Sequence, residues 1–277
     1  MNNVFDFKRF GKYFAYDLNN AWSNYGISAL VIGLLPLIML IFSVVFELLL
    51  KGETAPMPLQ VKFVLFSVAF FVVILSAPVK LYGRLTERRV GSDWLMIPAS
   101  PFEKFLSMAI MLCVVLPVAV FGLFAVCDLL LGWIVPAYGG SMVRQAATDF
   151  PGMMALATSM NGTGITGGGF IALMFLSWCV SILPFGLGAI CFKKGKAAKT
   201  ILCIFALEVL LSILLVIIFK GGFDSGFDLG QKLERLLGDM TAGKVQFLIN
   251  LFINVCYLVV VGGLLVALFF RIKTIKH

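Results

Sequence analysis

Histidine is almost missing from this sequence, since its single histidine is the last residue, His277. Metalloproteases that act inside membranes need an H-E-x-x-H pair, and serine-type hydrolases need a histidine base beside the nucleophile. An aspartyl pair is missing too, because Asp128 is the one aspartate inside a long apolar run and such a site needs two. The sequence therefore predicts a protein that is not an enzyme.

Charged side chains are scarce as well, and the cysteines are not spaced as metal ligands. Charged residues make up 13% of the chain. The six cysteines lie in apolar runs without the paired spacing of metal ligands or of a disulfide framework, and a thiol there behaves as a small apolar group. They are residues 113, 127, 179, 191, 203 and 256. The sequence indicates no metal and no cofactor.

The sequence also lacks a phosphate-binding loop. Gly195 and Lys196 match the end of such a loop, but Ile190 stands where its first glycine belongs. Ala197 stands where the motif needs a hydroxyl residue to reach the metal. If ATP drives this protein, another polypeptide must therefore bind the ATP.

Long apolar runs are abundant. The chain is 61% hydrophobic with a mean hydropathy of +1.03. A helix needs roughly 20 apolar residues to cross the ~30 Å hydrocarbon layer, and six runs reach that length. The sequence therefore predicts an all-α, polytopic membrane protein, with residues 1–277 forming a single transmembrane domain. The predicted spans are 26–50, 61–82, 105–135, 168–192, 200–219 and 247–270.

The positive charges predict the orientation. With six spans the two termini share a side, and about two thirds of the 22 Lys and Arg residues fall on that side. The bias is strongest in the short connection 193–199 and in the tail 271–277. We therefore expect a multi-pass protein of the inner or plasma membrane with both termini in the cytoplasm. The net charge of +8 then reflects topology and contact with lipid headgroups, and nucleic acid is not an expected partner.

The first 25 residues have a helical pattern of their own. Phe7, Phe10, Phe14, Leu18 and Trp22 recur at helical spacing, and charged residues occupy the rest of the wheel. This pattern is typical of an amphipathic helix that lies in the membrane interface. We expect such a helix over residues 1–25, before the first span.

Glu208 is the carboxylate that the sequence places deepest in the membrane. It lies eight residues beyond the inner end of the fifth span, or ~12 Å at 1.5 Å per residue. A buried charge there is costly unless it has a partner. Glu208 could line a substrate path, carry a proton, or bond to a neighbouring helix through a residue such as Lys80.

The connection between the second and third spans, residues 80–110, has the most distinctive sequence. Glu87-Arg88-Arg89 is followed by Gly91, the apolar group Trp94-Leu95-Met96-Ile97, and Pro98. We expect a short helix over 92–97 that ends at Pro98, because the residue before proline avoids the helical region. A new helix is expected to start after Ala99 or Ser100, with Pro101 in its first turn and Glu103 near its N-terminus.

This connection resembles that of type-2 ATP-binding-cassette (ABC) export permeases. In that family a Glu-Arg pair, a glycine, an apolar stretch and a Pro-small-Ser sequence lead into the third span and form the coupling helix that contacts the ATPase subunit. The six spans, the N-terminal interfacial helix and an amphipathic segment before the last span are similar too. The resemblance implies that the chain is a permease subunit, that residues 84–104 bind an ABC ATPase, and that the membrane unit is a dimer with itself or with a similar permease. It assigns the coupling contacts to Glu87, Arg88, Arg89, Trp94, Leu95 and Pro98.

Two other classes of function remain open on the sequence. A proton-coupled secondary carrier would use Glu208, although the chain shows no inverted repeat of the kind common in such carriers. A regulatory membrane subunit would need the same docking connection but no transport path.

Overall fold

The computed structural model describes residues 5–51, 56–86, 91, 94, 96–149, 167–223 and 242–274. All regular secondary structure in these ranges is helical, which confirms the predicted all-α class. The residues of the amphipathic segment predicted before the last span lie mostly outside the described ranges. The helices are α1 (Phe7–Gly33), α2 (Leu35–Lys51), α3 (Leu59–Tyr82), α4 (Pro101–Ile110), α5 (Leu116–Ile134), α6 (Gly167–Cys191), α7 (Lys196–Phe223) and α8 (Ala242–Thr274).

Five helical segments in the described ranges are long and apolar enough to cross a membrane. They coincide with the second to sixth predicted spans and run over Leu59–Thr86, Pro101–Ile134, Ala172–Cys191, Lys196–Leu214 and Ile253–Thr274. Many of their large apolar side chains are exposed on the outside of the bundle. A chain with several such helices is embedded in a membrane, where lipid covers exposed apolar surface of this extent.

The first predicted span differs from the structure in its boundary. Helix α1 does not stop near residue 25 but continues to Gly33, where a bend of 43° separates it from α2. The bend falls just before Pro36, whose ring nitrogen cannot donate to the carbonyl of Ile32. Together α1 and α2 form a bent pair that is long and apolar enough to cross a membrane.

Most of the buried side chains form one cluster at the centre of the bundle. Helix α6 lies at its middle and packs against α3, α7 and α8, while α1 packs against α3 and α5. Aromatic rings fill the space between α3, α5 and α6, with Trp178 5.4 Å from both Phe70 and Phe121 in edge-on contacts. The buried members of the cluster lie on α1, α3, α4, α5, α6 and α8 and pack these helices together.

A π-helical turn, Met111–Val115, joins α4 to α5 within the third span. Leu116 donates its N–H to Met111 in this turn, and the next residue, Pro117, has no N–H to offer. The carbonyl of Leu112 is therefore left without a helical donor, and the indole N–H of Trp178 donates to it over 3.2 Å. The helix thus accommodates Pro117 through a π turn, and α6 satisfies the carbonyl that the turn leaves free.

Candidate functional site

The 80–110 connection lies against helix α1, and the contact is made by polar side chains. We call this group the N-terminal cluster. It contains Arg9, Tyr13, Asp17, Tyr82, Trp94, Glu103, Lys104 and Ser107.

Glu103 joins the start of α4 to the start of α1. Its carboxylate accepts a hydrogen bond from the backbone N–H of Ser100 (2.8 Å), and the Ser100 hydroxyl accepts from the N–H of Glu103 (3.2 Å). This is the reciprocal capping arrangement that satisfies the free donors of a helix N-terminus. The helix start predicted after Ala99 or Ser100, with Pro101 in the first turn, is confirmed.

The same carboxylate also pairs with α1. Glu103 has no exposed side-chain area, and the guanidinium of Arg9 donates to both of its oxygens at 2.7–3.0 Å. The backbone N–H of Asp6 adds a further donor at 3.0 Å. A buried carboxylate surrounded by donors in this way fixes two elements relative to each other, because its removal leaves several donors unpaired.

Asp17 makes the second link and joins three helices. It is 6% exposed, and its Oδ2 accepts from the hydroxyl of Tyr82 at the end of α3 (2.9 Å) and from Ser107 on α4 (2.6 Å). Burial of a polar group is favourable only when it is hydrogen-bonded. Asp17 and its two partners therefore hold α1, α3 and α4 in one arrangement.

Trp94 is anchored to this cluster. Its indole N–H donates to the hydroxyl of Tyr13 (3.0 Å). The ammonium of Lys104 donates to the Trp94 carbonyl (2.8 Å) and lies 4.4 Å from the centre of the indole ring, in cation–π range. Trp94 thus attaches the connection to α1.

Beyond Trp94 the connection is open to its surroundings. Gly91, Trp94 and Met96 have helical backbone, and Pro98 follows outside the helix. Met96 is 80% exposed, and Pro98 is exposed too. The predicted coupling residues Glu87, Arg88, Arg89 and Leu95 lie outside the described residues.

The sequence alone did not identify the partners of this connection on α1. Asp17 carried the only signal, since it is an acidic residue on a helix that leads directly into an apolar run. Arg9 and Tyr13 gave no sign of their partners, because Glu103 and Trp94 are more than 80 residues away along the chain.

Glu208 lies on the outside of α7 and not in the bundle interior. It is exposed, and its side chain makes no hydrogen bond or ion pair with any residue that the structure describes. The suggested partner Lys80 instead donates to Ser28 on α1 (2.6 Å). The suggested pairing of Glu208 with Lys80 was therefore wrong, because Lys80 bonds to α1 and Glu208 is exposed on α7.

An apolar cavity of about 440 Å³ lies beside α1, between that helix and the third span. Its walls include the small residues Ala15, Gly26 and Ala119 and the side chain of Trp22. On this side α1 is loosely packed, whereas its other side carries the hydrogen bonds of the N-terminal cluster. The polar partners therefore add to the apolar packing of α1 against α3 and α5.

A second buried polar group, which we call the Asp128 cluster, lies at the opposite end of the bundle. Asp128 has no exposed area and accepts from Tyr138 (2.5 Å), from Ser141 (2.6 Å) and from the N–H of Val143 (3.0 Å). Burial, assisted by the Asp128 carboxylate, raises the pKa of Tyr138 above its ordinary value, so this hydroxyl stays protonated as a donor. Lys62, 2% exposed, lies 3.9 Å from the Tyr138 ring centre and donates to a backbone carbonyl.

The two clusters are about one membrane thickness apart. Lys62 and Tyr82 stand near the two ends of α3, and Ser107 and Asp128 are similarly separated on the third span. Twenty residues of helix measure about 30 Å, which is the thickness of the hydrocarbon layer. The buried polar groups therefore lie at the two ends of the spans, where the helices leave the lipid core.

No family model, curated protein or solved structure matches this chain. Within the described ranges, no group of three His, Cys, Asp or Glu side chains is arranged to hold a metal ion.

Proposed function

We propose that this chain is the permease subunit of an ABC exporter, and that residues 84–104 bind a separate ATPase subunit. The observation that carries the proposal is the attachment of the 80–110 connection to α1 through Trp94 and Glu103. A segment that transmits force must be rigidly joined to the helices it moves, and this connection is joined to α1, α3 and α4.

The exposed part of the connection supplies the docking surface. Met96 and Pro98 extend away from the anchored Trp94. Methionine is common at protein–protein contacts because its flexible, polarisable side chain adapts to a partner. The charged residues Glu87 and Arg88 would then add charge complementarity at the edge of the contact.

The exposed surface of α7 supports the proposal that the membrane unit is a dimer. Only 6% of the apolar stretch within Lys196–Leu214 is buried inside the bundle. Glu208 lies on this exposed helix, where lipid is a costly environment for a carboxyl group. A neighbouring permease copy, or a similar permease, would both cover the helix and offer Glu208 a polar partner.

The orientation belongs to the same proposal. An ATPase in the cytoplasm requires that the N-terminal cluster lie on the cytoplasmic side, which agrees with the positive charges at both termini. The Asp128 cluster then lies on the outer side of the cell membrane.

The outward position of Glu208 weighs against the proton-coupled carrier. A proton-carrying carboxyl group in such carriers faces the bundle interior or a water-filled cavity, and Glu208 faces away from the described helices. A regulatory subunit without a transport path is separated from the permease by the experiment below.

The test is purification of the full-length protein from its native host, followed by mass spectrometry and an ATPase assay. We expect an ABC ATPase to co-purify and to hydrolyse ATP faster in the complex than alone. The double variant Glu87→Ala, Arg88→Ala should lose this stimulation, because truncation of charges buried in an interface costs ~2–5 kcal/mol.

The matched control is Lys193→Ala, Lys194→Ala. These two charges are exposed on the connection between α6 and α7, and their loss should leave stimulation intact. Absence of any ATPase from the purified protein would contradict the permease proposal. An ATPase that binds but hydrolyses ATP no faster in the complex than alone would favour the regulatory subunit.

A further inference from the structure

A second cavity, of about 560 Å³, lies beside the Asp128 cluster. One wall is the end of α5, with Leu129, Leu130 and Trp133, and the other wall is formed by residues 140–148. Unlike the cavity beside α1, this one has both apolar and polar walls.

The polar wall is held in place by the protein interior. Asp128 binds the Ser141 hydroxyl and the Val143 N–H. Gly132 lies so close to Ser141 that an added Cβ would be 2.4 Å from the Ser141 nitrogen. The cavity wall is therefore a fixed part of the fold.

Arg144 provides the charge of the cavity. Its side chain is exposed and has no hydrogen bond or ion pair with any residue in the described ranges. Gln145 and Thr148 line the cavity beside it, and Asp149, the nearest acidic residue along the chain, is not part of the lining. The cavity therefore contains a guanidinium whose donors no described residue uses, next to further polar groups.

The apolar wall lies at the level of the lipid. Trp133 is 83% exposed and Leu130 is 50% exposed, and both lie in the last turns of the third span. Exposed tryptophan is typical of the boundary between headgroups and hydrocarbon. The cavity thus crosses this boundary, with its cation on the polar side.

We infer that this cavity binds an anionic phospholipid of the leaflet at the Asp128 end. The Arg144 guanidinium donates to the headgroup phosphate in the two-pronged geometry that arginine forms with phosphates. The acyl chains lie along Leu129 and Leu130. This inference does not depend on the ATPase partner, because it concerns the opposite end of the bundle.

The test is native mass spectrometry of the full-length protein, titrated in neutral detergent with phosphatidylglycerol or phosphatidylcholine. Both lipids carry the phosphate, but the choline cation of phosphatidylcholine offsets its attraction to Arg144. We therefore expect about a fivefold preference for phosphatidylglycerol, the effect of one cation near a headgroup with net negative charge. Arg144→Gln should abolish the preference, whereas Lys194→Gln, an equal charge change at the other end of the bundle, should leave it intact.

Two further measurements complete the design. Leu130→Trp should fill the space beside the apolar wall. It should therefore weaken the binding of both lipids, while the preference between them remains. Millimolar inorganic phosphate should not displace bound lipid, and displacement would assign the site to free phosphate. A preference that survives in Arg144→Gln would overturn the inference.

Discussion

The hydrogen bond between Tyr82 and Asp17 offers a direct test of how α1 is held. Tyr82→Phe removes one hydroxyl and leaves the ring in place. Tyr82 is 5% exposed and Asp17 is 6% exposed, so water cannot readily replace the lost donor. We expect the protein to lose stability without losing its fold.

The size of the effect follows from the burial of the pair. A hydrogen bond removed from a buried acceptor costs about 1–3 kcal/mol. Ser107→Ala should cost a similar amount, because Ser107 donates to the same oxygen, Asp17 Oδ2. The double variant should lose more than the two single variants together, by at least ~0.5 kcal/mol, since Asp17 is then left without its two side-chain donors.

The assay is reversible unfolding of the detergent-solubilised protein, followed by circular dichroism as the fraction of denaturing detergent is raised. Tyr16→Phe is the matched control, because Tyr16 lies on the same helix and is 55% exposed. A surface change of this kind is expected to stay within about 0.5 kcal/mol. Equal stabilities of Tyr82→Phe and Tyr16→Phe would refute the claim that the Asp17 contacts hold α1.

Two other predictions concern single positions on the spans. Gly132→Ala should destabilise the protein by about 1–3 kcal/mol in the same unfolding assay, because the new Cβ overlaps the Ser141 backbone; Gly122→Ala on the same helix meets no atom within 4 Å and should be neutral or stabilising. Glu208→Gln keeps shape and hydrogen bonding but cannot titrate, so ATP-driven transport measured in vesicles should persist. Gradient-driven transport in the parent, lost completely in Glu208→Gln, would identify a proton carrier instead.

The positions of most helices were predictable from the sequence. Long apolar runs predict spans because the thickness of the lipid layer sets the length of a helix, and the second to sixth spans lie where the runs predicted them. The start of α4 was predictable too, since Ser100, Pro101 and Glu103 satisfy a helix N-terminus through contacts within four residues. These features depend on local sequence and on the membrane.

Contacts between distant residues were decided only by the tertiary structure. Arg9 meets Glu103 and Asp17 meets Ser107 across more than 85 residues of chain, and no periodicity in either helix contains that information. Conversely, the sequence places Glu208 deep in the membrane, but the packing of α7 leaves its side chain on the outside of the bundle. Depth along a helix follows from residue spacing, whereas the neighbours of a side chain depend on how the helices are rotated and packed against one another.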